Sequence, residues 1–275
     1  MKIKVWGARG SVPTPGKATV HFGGNTSCLE VRTDGGELVI FDAGTGIRAL
    51  GEELARGGGP VAGTLFFTHV HWDHIQGFPF FVPAYMKGAR FHLYGERKFL
   101  SSLEEALKGQ MQYPNFPVSL EEMGAEMHFH DLVEFDEVKL GTAVVSCMRG
   151  NHPGGVFIYK VRENGASVVY ATDNEHFTCI PPKLLDFIRG ADVLICDAQY
   201  TDDEYSGRTG RCRASWGHST VEEGVRLAAA AGAGRLVTWH HDPSHDDGKI
   251  GQMERWAAEH FPGAQAAFEG LEIAL

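Results

Sequence analysis

Leu65-Phe66-Phe67-Thr68-His69-Val70-His71-Trp72-Asp73-His74 runs from an apolar triplet straight into four metal-binding side chains within six positions. The apolar triplet reads as the end of a buried strand, so three imidazoles and a carboxylate fall where that strand stops. At this density such groups repel one another or go unpaired unless a cation holds them. The donor set suits a pair of borderline divalent ions such as zinc or manganese. The competing reading is a polar, solvated loop that happens to be rich in histidine.

With 275 residues the chain can build one large α/β domain or two small ones. No linker-like stretch interrupts it, so a single domain over 1–275 is expected. Its composition, 43% hydrophobic and 22% charged, is that of an ordinary globular protein. The net charge of −10 argues against a general nucleic-acid coat or a binder of acidic membranes, because its long-range field repels polyanions. A small anion in a locally positive pocket is still compatible with that charge. The cysteines (Cys28, Cys147, Cys179, Cys196 and Cys212) are odd in number and scattered, without a C-x-x-C. Cys28, Cys147 and Cys196 sit in apolar strand-like runs and read as buried free thiols. The opening Met1–Trp6 stretch has no apolar signal core, and no window reaches about 18 uninterrupted apolar residues. A soluble cytoplasmic protein without membrane attachment is the expectation.

Working outward from the histidine cluster, short strand-like runs dominate the first seventy residues: 3–6, 27–32, 38–41 and 64–68, separated by glycine-rich turns. A helix is predicted over 47–55, closed by Gly57-Gly58-Gly59, and a second over 99–108, where Leu100, Leu103 and Leu107 recur at helical spacing. Strands follow at 142–149, 155–161 and 167–171, with a helix around 182–187. Strands at 192–196 and 235–239 close the list, with a helix at 221–231 between them. Leu38–Asp42-Ala43 resembles Asp192–Asp197-Ala198, a strand ending in Asp-Ala. This echo predicts two similar halves, each a sheet with helices outside, packed sheet on sheet around one core.

Two cations need more than four protein ligands, and similar strand ends supply candidates. His152 lies in Arg149-Gly-Asn-His152-Pro-Gly-Gly, fixed between tight-turn residues, where the alternative is a turn histidine in solvent. Asp173 ends a β run, and its carboxylate is placed to bridge two ions. Trp239-His240-His241-Asp242-Pro243 ends the last clear strand, and one of its two histidines should reach the metal. His21, His92, His128, His130, His176, His245 and His260 lack strand-end context and read as surface or structural, His245 being the first exception to expect.

Taken together, these motifs resemble the metallo-β-lactamase superfamily. The likeness is closest to its phosphodiesterase branch, which includes tRNase Z and the small cyclic-nucleotide phosphodiesterases. The resemblance rests on Gly7-Ala-Arg-Gly10-Ser11, Gly23-Gly24-Asn25-Thr26-Ser27, Asp42-Ala-Gly44, the H-x-H-x-D-H cluster, His152, Asp173, Gly217-His218-Ser219-Thr220 and His240. It implies a four-layer αββα fold, two mixed β-sheets flanked by helices, with the site along one edge. It also implies that His69, His71 and His152 hold one ion, that Asp73, His74 and His240 hold the second, and that Asp173 bridges. Asp42 would stand behind the ligands and orient an imidazole. His240 rather than His241 is the family-aligned ligand. Adjacent strand residues face opposite sides, so both cannot point at the metal.

His218 precedes a helix, and Ser219-x-x-Glu222 reads as a capping box with Ser219 as N-cap. An imidazole there sits at the positive end of a helix, where an anion docks, and can protonate a departing alkoxide. The alternative is a purely structural hydrogen bond. In tRNase Z the matching His works with an acidic residue; the aligned position here is Asp197, where that family more often carries Glu. Arg208, Arg211 and Arg213 fall within six residues and read equally well as a phosphate-holding loop or as surface partners of Asp202, Asp203 and Glu204. The Gly7–Ser11 turn, Ser11 in particular, offers backbone N–H groups to the same anion.

The functional expectation is dinuclear metal-dependent hydrolysis of a small phosphodiester, a cyclic nucleotide before others. Water activated between the two ions (zinc first, manganese or iron as alternatives) would attack phosphorus, with Asp73, Asp197 and His218 as the catalytic side chains. A tRNA 3′-processing activity, or hydrolysis of lactones, thioesters or β-lactams at the same site, are the rivals. The resemblance further implies a homodimer.

Overall fold

The computed structural model describes residues 1–98 and 102–275. Its strands are β1 (Lys2–Gly7), β2 (Cys28–Arg32), β3 (Leu38–Phe41), β4 (Ala62–Phe66), β5 (Arg90–Glu96), β6 (Glu126–Leu132), β7 (Glu137–Leu140), β8 (Ala143–Arg149), β9 (Phe157–Glu163), β10 (Ala166–Ala171), β11 (Val193–Asp197), β12 (Arg235–Trp239), β13 (Ala264–Ala266) and β14 (Glu272–Ala274). The helices are α1 (Gly46–Ala55), α2 (Trp72–Ile75), α3 (Leu103–Gln110), α4 (Pro182–Ile188), α5 (Asp202–Tyr205), α6 (Val221–Ala231) and α7 (Asp247–His260).

Two seven-stranded mixed sheets form, in the orders β14-β1-β2-β3-β4-β5-β6 and β13-β12-β11-β10-β9-β8-β7. Both follow one plan. In the first, β14 through β3 pair antiparallel and β3 through β6 parallel. In the second, β7 through β10 pair antiparallel and β10 through β13 parallel. The internal echo is therefore real but shifted by one strand. The counterpart of β3 is β10, the strand where antiparallel pairing turns parallel, and not β11. Asp42 and Asp173 are accordingly matched features, each just past its junction strand with a left-handed backbone (φ 61° and 52°).

Apolar residues on both faces of the central strands explain the four layers. Along β3, Val39 and Phe41 enter the core between the sheets, while Leu38 and Ile40 face the layer that holds α1 and α3. Phe41, Phe66, Tyr159 and Tyr170 pack ring against ring between the sheets at centroid distances of 5.3–5.8 Å. On the far side, Val169, Leu194 and Leu236 bury against α4, α6 and α7. Strands this apolar on both faces need cover on both. Cys28, Cys147 and Cys196 are buried free thiols, as expected.

Several elements escaped the sequence reading. β5 and β6 bear His92, Tyr94, His128 and His130 on one face, which masks their strand pattern. There His92 Nδ1 lies 2.9 Å from His130 Nε2. β7, β13 and β14 are three or four residues long and exist through pairing with longer neighbours. α7 is capped by Asp246, whose carboxylate accepts the Lys249 N–H at 2.8 Å, in a stretch where no helix was predicted. The helix predicted over 99–108 is α3. Its proposed first residues 99–101, Leu100 among them, lie outside the described residues, and Ser102 caps it in a reciprocal pair with Glu105. No helix among the described residues is long and apolar enough to cross a membrane.

Arg9 clamps the turn after β1 to the loop after β12. Its guanidinium, 1% exposed, donates to Gly23 O at 2.8 Å, His245 O at 2.8 Å and Asp242 O at 3.2 Å. Replacing Arg9 by Met leaves these carbonyls without partners and should lower urea-unfolding stability by about 2–4 kcal/mol. A change within about 0.5 kcal/mol, typical of surface substitutions, would show that the clamp is unimportant.

Candidate metal centre

The site lies along the C-terminal ends of β3, β4, β10, β11 and β12 and the turn after β8. Asp42 organises the first of these ends. Its carboxylate accepts the Thr68 N–H at 2.8 Å, the Thr68 hydroxyl at 2.9 Å and the Tyr170 hydroxyl at 3.1 Å. It also accepts His74 Nδ1–H at 2.8 Å, which frees His74 Nε2 to face inward. That nitrogen lies 3.2 Å from Asp173 Oδ1 and 3.4 Å from Asp73 Oδ2, yet makes no aligned hydrogen bond. His69 Nε2 is likewise buried without a partner. Orphaned imidazole nitrogens this deeply buried are costly unless something else binds them.

Two clusters result. The side chains of His69, His71 and His152 offer ligand atoms all within 4.8 Å of one another, and so do those of Asp73, His74, Asp173 and His240. His152 Nε2 and His71 Nδ1 stand 3.0 Å apart. His152 Nδ1 donates to Gly217 O at 2.8 Å, which leaves Nε2 free for an ion. Asp173 lies between the clusters. Its Oδ2 is 3.2 Å from His240 Nε2, 3.8 Å from His69 Nε2 and 3.9 Å from His152 Nε2. His240 turns inward with φ 65°, its Nε2 3.1 Å from Asp73 Oδ2. His241 turns away and meets Ala267 O at 2.8 Å. Burial pushes the His241 imidazole down to about 3, so it sits neutral in the core.

The electrostatics fit a cation pair. Burial pushes His69 well below its usual range, with His74 adding to the effect. Burial also opposes charge on His240, but Asp173, Asp73 and Asp197 outweigh it and raise the group to about 9. His74 is raised well above its usual range in the same way, by Asp173, Asp73 and Asp42 against burial. Asp73 and Asp173 are held below the usual carboxylate range by these same imidazoles, despite their burial. In the metal-free protein, protons on His74 and His240 thus balance two buried carboxylates, a duty that divalent ions would take over.

Beside the second cluster, His218 Nδ1 lies 2.8 Å from Asp197 Oδ2, and its ring stacks on His240 at 4.7 Å. Asp197 also accepts the N–H groups of Asp173, Gln199 and Ser219, at 3.1, 3.1 and 2.9 Å. Ser219 is not the helix cap. With its N–H committed to Asp197, the cap of α6 moves to Thr220, whose side chain accepts the Glu223 N–H at 3.1 Å. Ser11 N–H is committed as well, at 2.7 Å to Asp73 Oδ2, so it steadies that carboxylate rather than waiting for an anion.

The three arginines divide. Arg208 is exposed and tied to Asp203 at 2.6 Å, the surface pairing considered above. Arg211 lies over the Trp216 ring at 5.2 Å. Arg213 lies over Tyr200 at 4.8 Å, and that ring is 6.1 Å from His218. His245 pairs with Glu204 at 2.9 Å, apart from both clusters. Thr68 and Tyr170, the other partners of Asp42, and Glu175, discussed below, were not picked out from the sequence. Thr68 sits in the opening motif itself and Glu175 two places after Asp173, whereas nothing local marks Tyr170.

A family model described as a beta-lactamase superfamily domain matches residues 38–241. Ribonuclease Z of Myxococcus xanthus is 25% identical over 295 residues, spanning 91% of this chain and 92% of that protein. Among solved structures, a diphosphatase from the PhnP family superposes with a TM-score of 0.70 at 23% identity, covering 100% of this chain and 97% of the other. The short form of human tRNase Z gives 0.69 at 19% identity, covering 100% and 99%. These likenesses establish a shared fold. With three quarters of its length matched by the family model, this chain belongs to the beta-lactamase superfamily.

Proposed function

We propose that the chain is a dinuclear metal-dependent phosphodiesterase acting on a small phosphodiester, a cyclic nucleotide before others. The observation that carries the reading is the His218–Asp197 pair, with His218 Nδ1 only 3.8 Å from the Asp173 carboxylate that lies between the two clusters. His69, His71 and His152 would hold one ion and Asp73, His74 and His240 the other, with Asp173 shared; zinc suits the donors best, and manganese or iron also fit. Two such ions supply Lewis acidity at the phosphoryl oxygens and a nucleophile at neutral pH.

The chain's own residues do the rest. Asp197 fixes the His218 tautomer and steadies its protonated form, so that Nε2–H can be given to the departing oxygen. Asp42 keeps His74 Nε2 directed inward, and Ser11 N–H does the same for Asp73. Arg213, held over Tyr200 near His218, is the arginine best placed to meet a phosphate; Arg208 is already neutralised by Asp203.

A net charge of −10 favours a small diester over a large polyanion. Two findings favour a second reading, tRNA 3′ processing: the matched Myxococcus protein, 92% of which is covered, is a ribonuclease Z, and the short form of human tRNase Z shares the fold. Of the other rivals, thioester hydrolysis gains least from such a proton donor because a thiolate leaves unaided, whereas a lactone also expels an alkoxide and is separated from a phosphodiester by assay. Parallel assays of 2′,3′- and 3′,5′-cyclic nucleotides, bis-nitrophenyl phosphate and pre-tRNA decide between them. Preferred cleavage of pre-tRNA would overturn the small-substrate reading.

Two outcomes are expected. Zinc loading of metal-free protein near pH 7.5 should release about three protons, from His74, from His240 and from the water that the ions would ionise. Because His240 titrates at about 9, its share should disappear as pH rises through that value. Calorimetry in buffers of differing ionisation enthalpy measures this, and loading without proton release would contradict the charge balance. Separately, His218→Ala should keep both ions yet slow cyclic-nucleotide hydrolysis by roughly 10²–10⁴-fold. The nitrophenyl ester, whose leaving group needs no proton, should be slowed far less. Equal loss on both substrates would remove His218 from the acid role.

A further inference from the structure

The turn after β10 carries a carboxylate that the reaction scheme above does not use. Glu175, 8% exposed, accepts three hydrogen bonds: the Tyr205 hydroxyl at 2.6 Å and Ser215 N–H at 2.7 Å on Oε1, and Gly217 N–H at 2.8 Å on Oε2. Its own backbone is clasped to the turn that bears His152. Glu175 N–H donates to Asn151 O at 2.9 Å, Asn151 Nδ2 donates to Glu175 O at 3.1 Å, and Asn151 N–H donates to Asn174 Oδ1 at 2.9 Å.

The segment that Glu175 grips is under strain. Ser215 has φ 70° and Gly217 φ 92°. A non-glycine residue in that region costs of order 1–3 kcal/mol and persists only where its surroundings hold it. Gly217 has no substitute, since a Cβ there would collide with His152 Nδ1 and Pro153. The same residue does two jobs, because its carbonyl accepts the hydrogen bond from His152 Nδ1–H and its C-terminal neighbour is His218. The Gly217 peptide therefore sets both the ligand imidazole of the first cluster and the approach of His218 to the second.

We infer that Glu175 is the positioning residue that couples the two, acting through the Gly217 backbone and touching neither ions nor substrate. The inference rests on the metal and acid roles proposed above for His152 and His218. An acceptor-only carboxylate is required. Glutamine presents one acceptor and one donor, so in either amide orientation one of the two backbone N–H groups faces a donor. Released from its anchor, Gly217 O no longer fixes the His152 tautomer, and loss of such an outer partner typically weakens metal binding about 10–100-fold.

The test compares Glu175→Gln with Tyr205→Phe in the full chain, titrating zinc into metal-free protein against a chromophoric chelator. Glu175→Gln should weaken one of two zinc ions by about 10–100-fold and leave the other at its wild-type affinity. Tyr205→Phe, which spares both backbone contacts, should bind both like wild type. With both ions loaded, Glu175→Gln should also lose more activity on cyclic nucleotides than on bis-nitrophenyl phosphate, the signature of a displaced His218. Wild-type affinity at both sites in Glu175→Gln would overturn the inference, as would equal weakening of both sites. Should that variant not fold, Glu175→Asp, one methylene short but still acceptor-only, carries the test. Weakening confined to one ion supports the inference, and unchanged binding of both overturns it. Zinc affinity is read without substrate, so a wild-type protein that cleaves no diester would defeat the phosphodiesterase reading while leaving this result to stand or fall separately.

Discussion

Two buried carboxylates, Asp73 and Asp173, are packed against five imidazoles where a strand edge meets the space between two sheets, and their charge has to be balanced on the spot. Water cannot do it, because Asp173 and His240 are 2% and 1% exposed. Moving an ion into such surroundings costs several kcal/mol unless partners are in place. Protons on His74 and His240 meet that need in the metal-free chain. Nitrogens such as His69 Nε2, buried without any partner, remain unexplained by protons alone. The proposed pair of divalent cations would resolve both problems together, and most local features of the site fit that role.

Backbone strain is concentrated there too. Among the described residues, seven non-glycine residues have positive φ; four of them (Ser11, Asp42, Asp173 and His240) belong to the two clusters or hydrogen-bond to them, and a fifth, Ser215, donates to Glu175. Left-handed backbone is rarely adopted by such residues and needs compensation from its surroundings. Here it comes from hydrogen bonds between segments distant in sequence: Ser11 to Asp73, Thr68 to Asp42, and Asp173 to Asp197. The repeated sheet plan supplies the rest. Each half has an aspartate just past its junction strand, and the two differ in placement, Asp42 behind His74 and Asp173 between the two clusters.

Much of this was legible in the sequence, for identifiable reasons. Strands β3, β11 and β12 are apolar on both faces and bounded by turns, so they declare themselves. The candidate ligands follow closely on the ends of β4, β8, β10 and β12, and chemistry fixes their residue types. Side-chain alternation allowed only one of His240 and His241 to face the site, and the family resemblance singled out His240. What stayed hidden depends on pairing across the chain. β5 and β6 present histidines where apolar residues would signal a strand, and β14 is held only by its register with β1. The capping error at Ser219 has the same origin. Local pattern favoured Ser219, but its N–H is taken by Asp197, a neighbour only in the folded state. Glu175 and Tyr170 were invisible for that reason as well, since their partners lie 30 or more residues away.

These strand ends are proposed to gather two neighbouring divalent ions with Asp173 between them. Anomalous diffraction from crystals grown with zinc or manganese tests it most directly. The account expects two peaks about 3.5–4 Å apart, one against His69, His71 and His152 and the other against Asp73, His74 and His240. A single peak, or none within reach of these side chains, would contradict it.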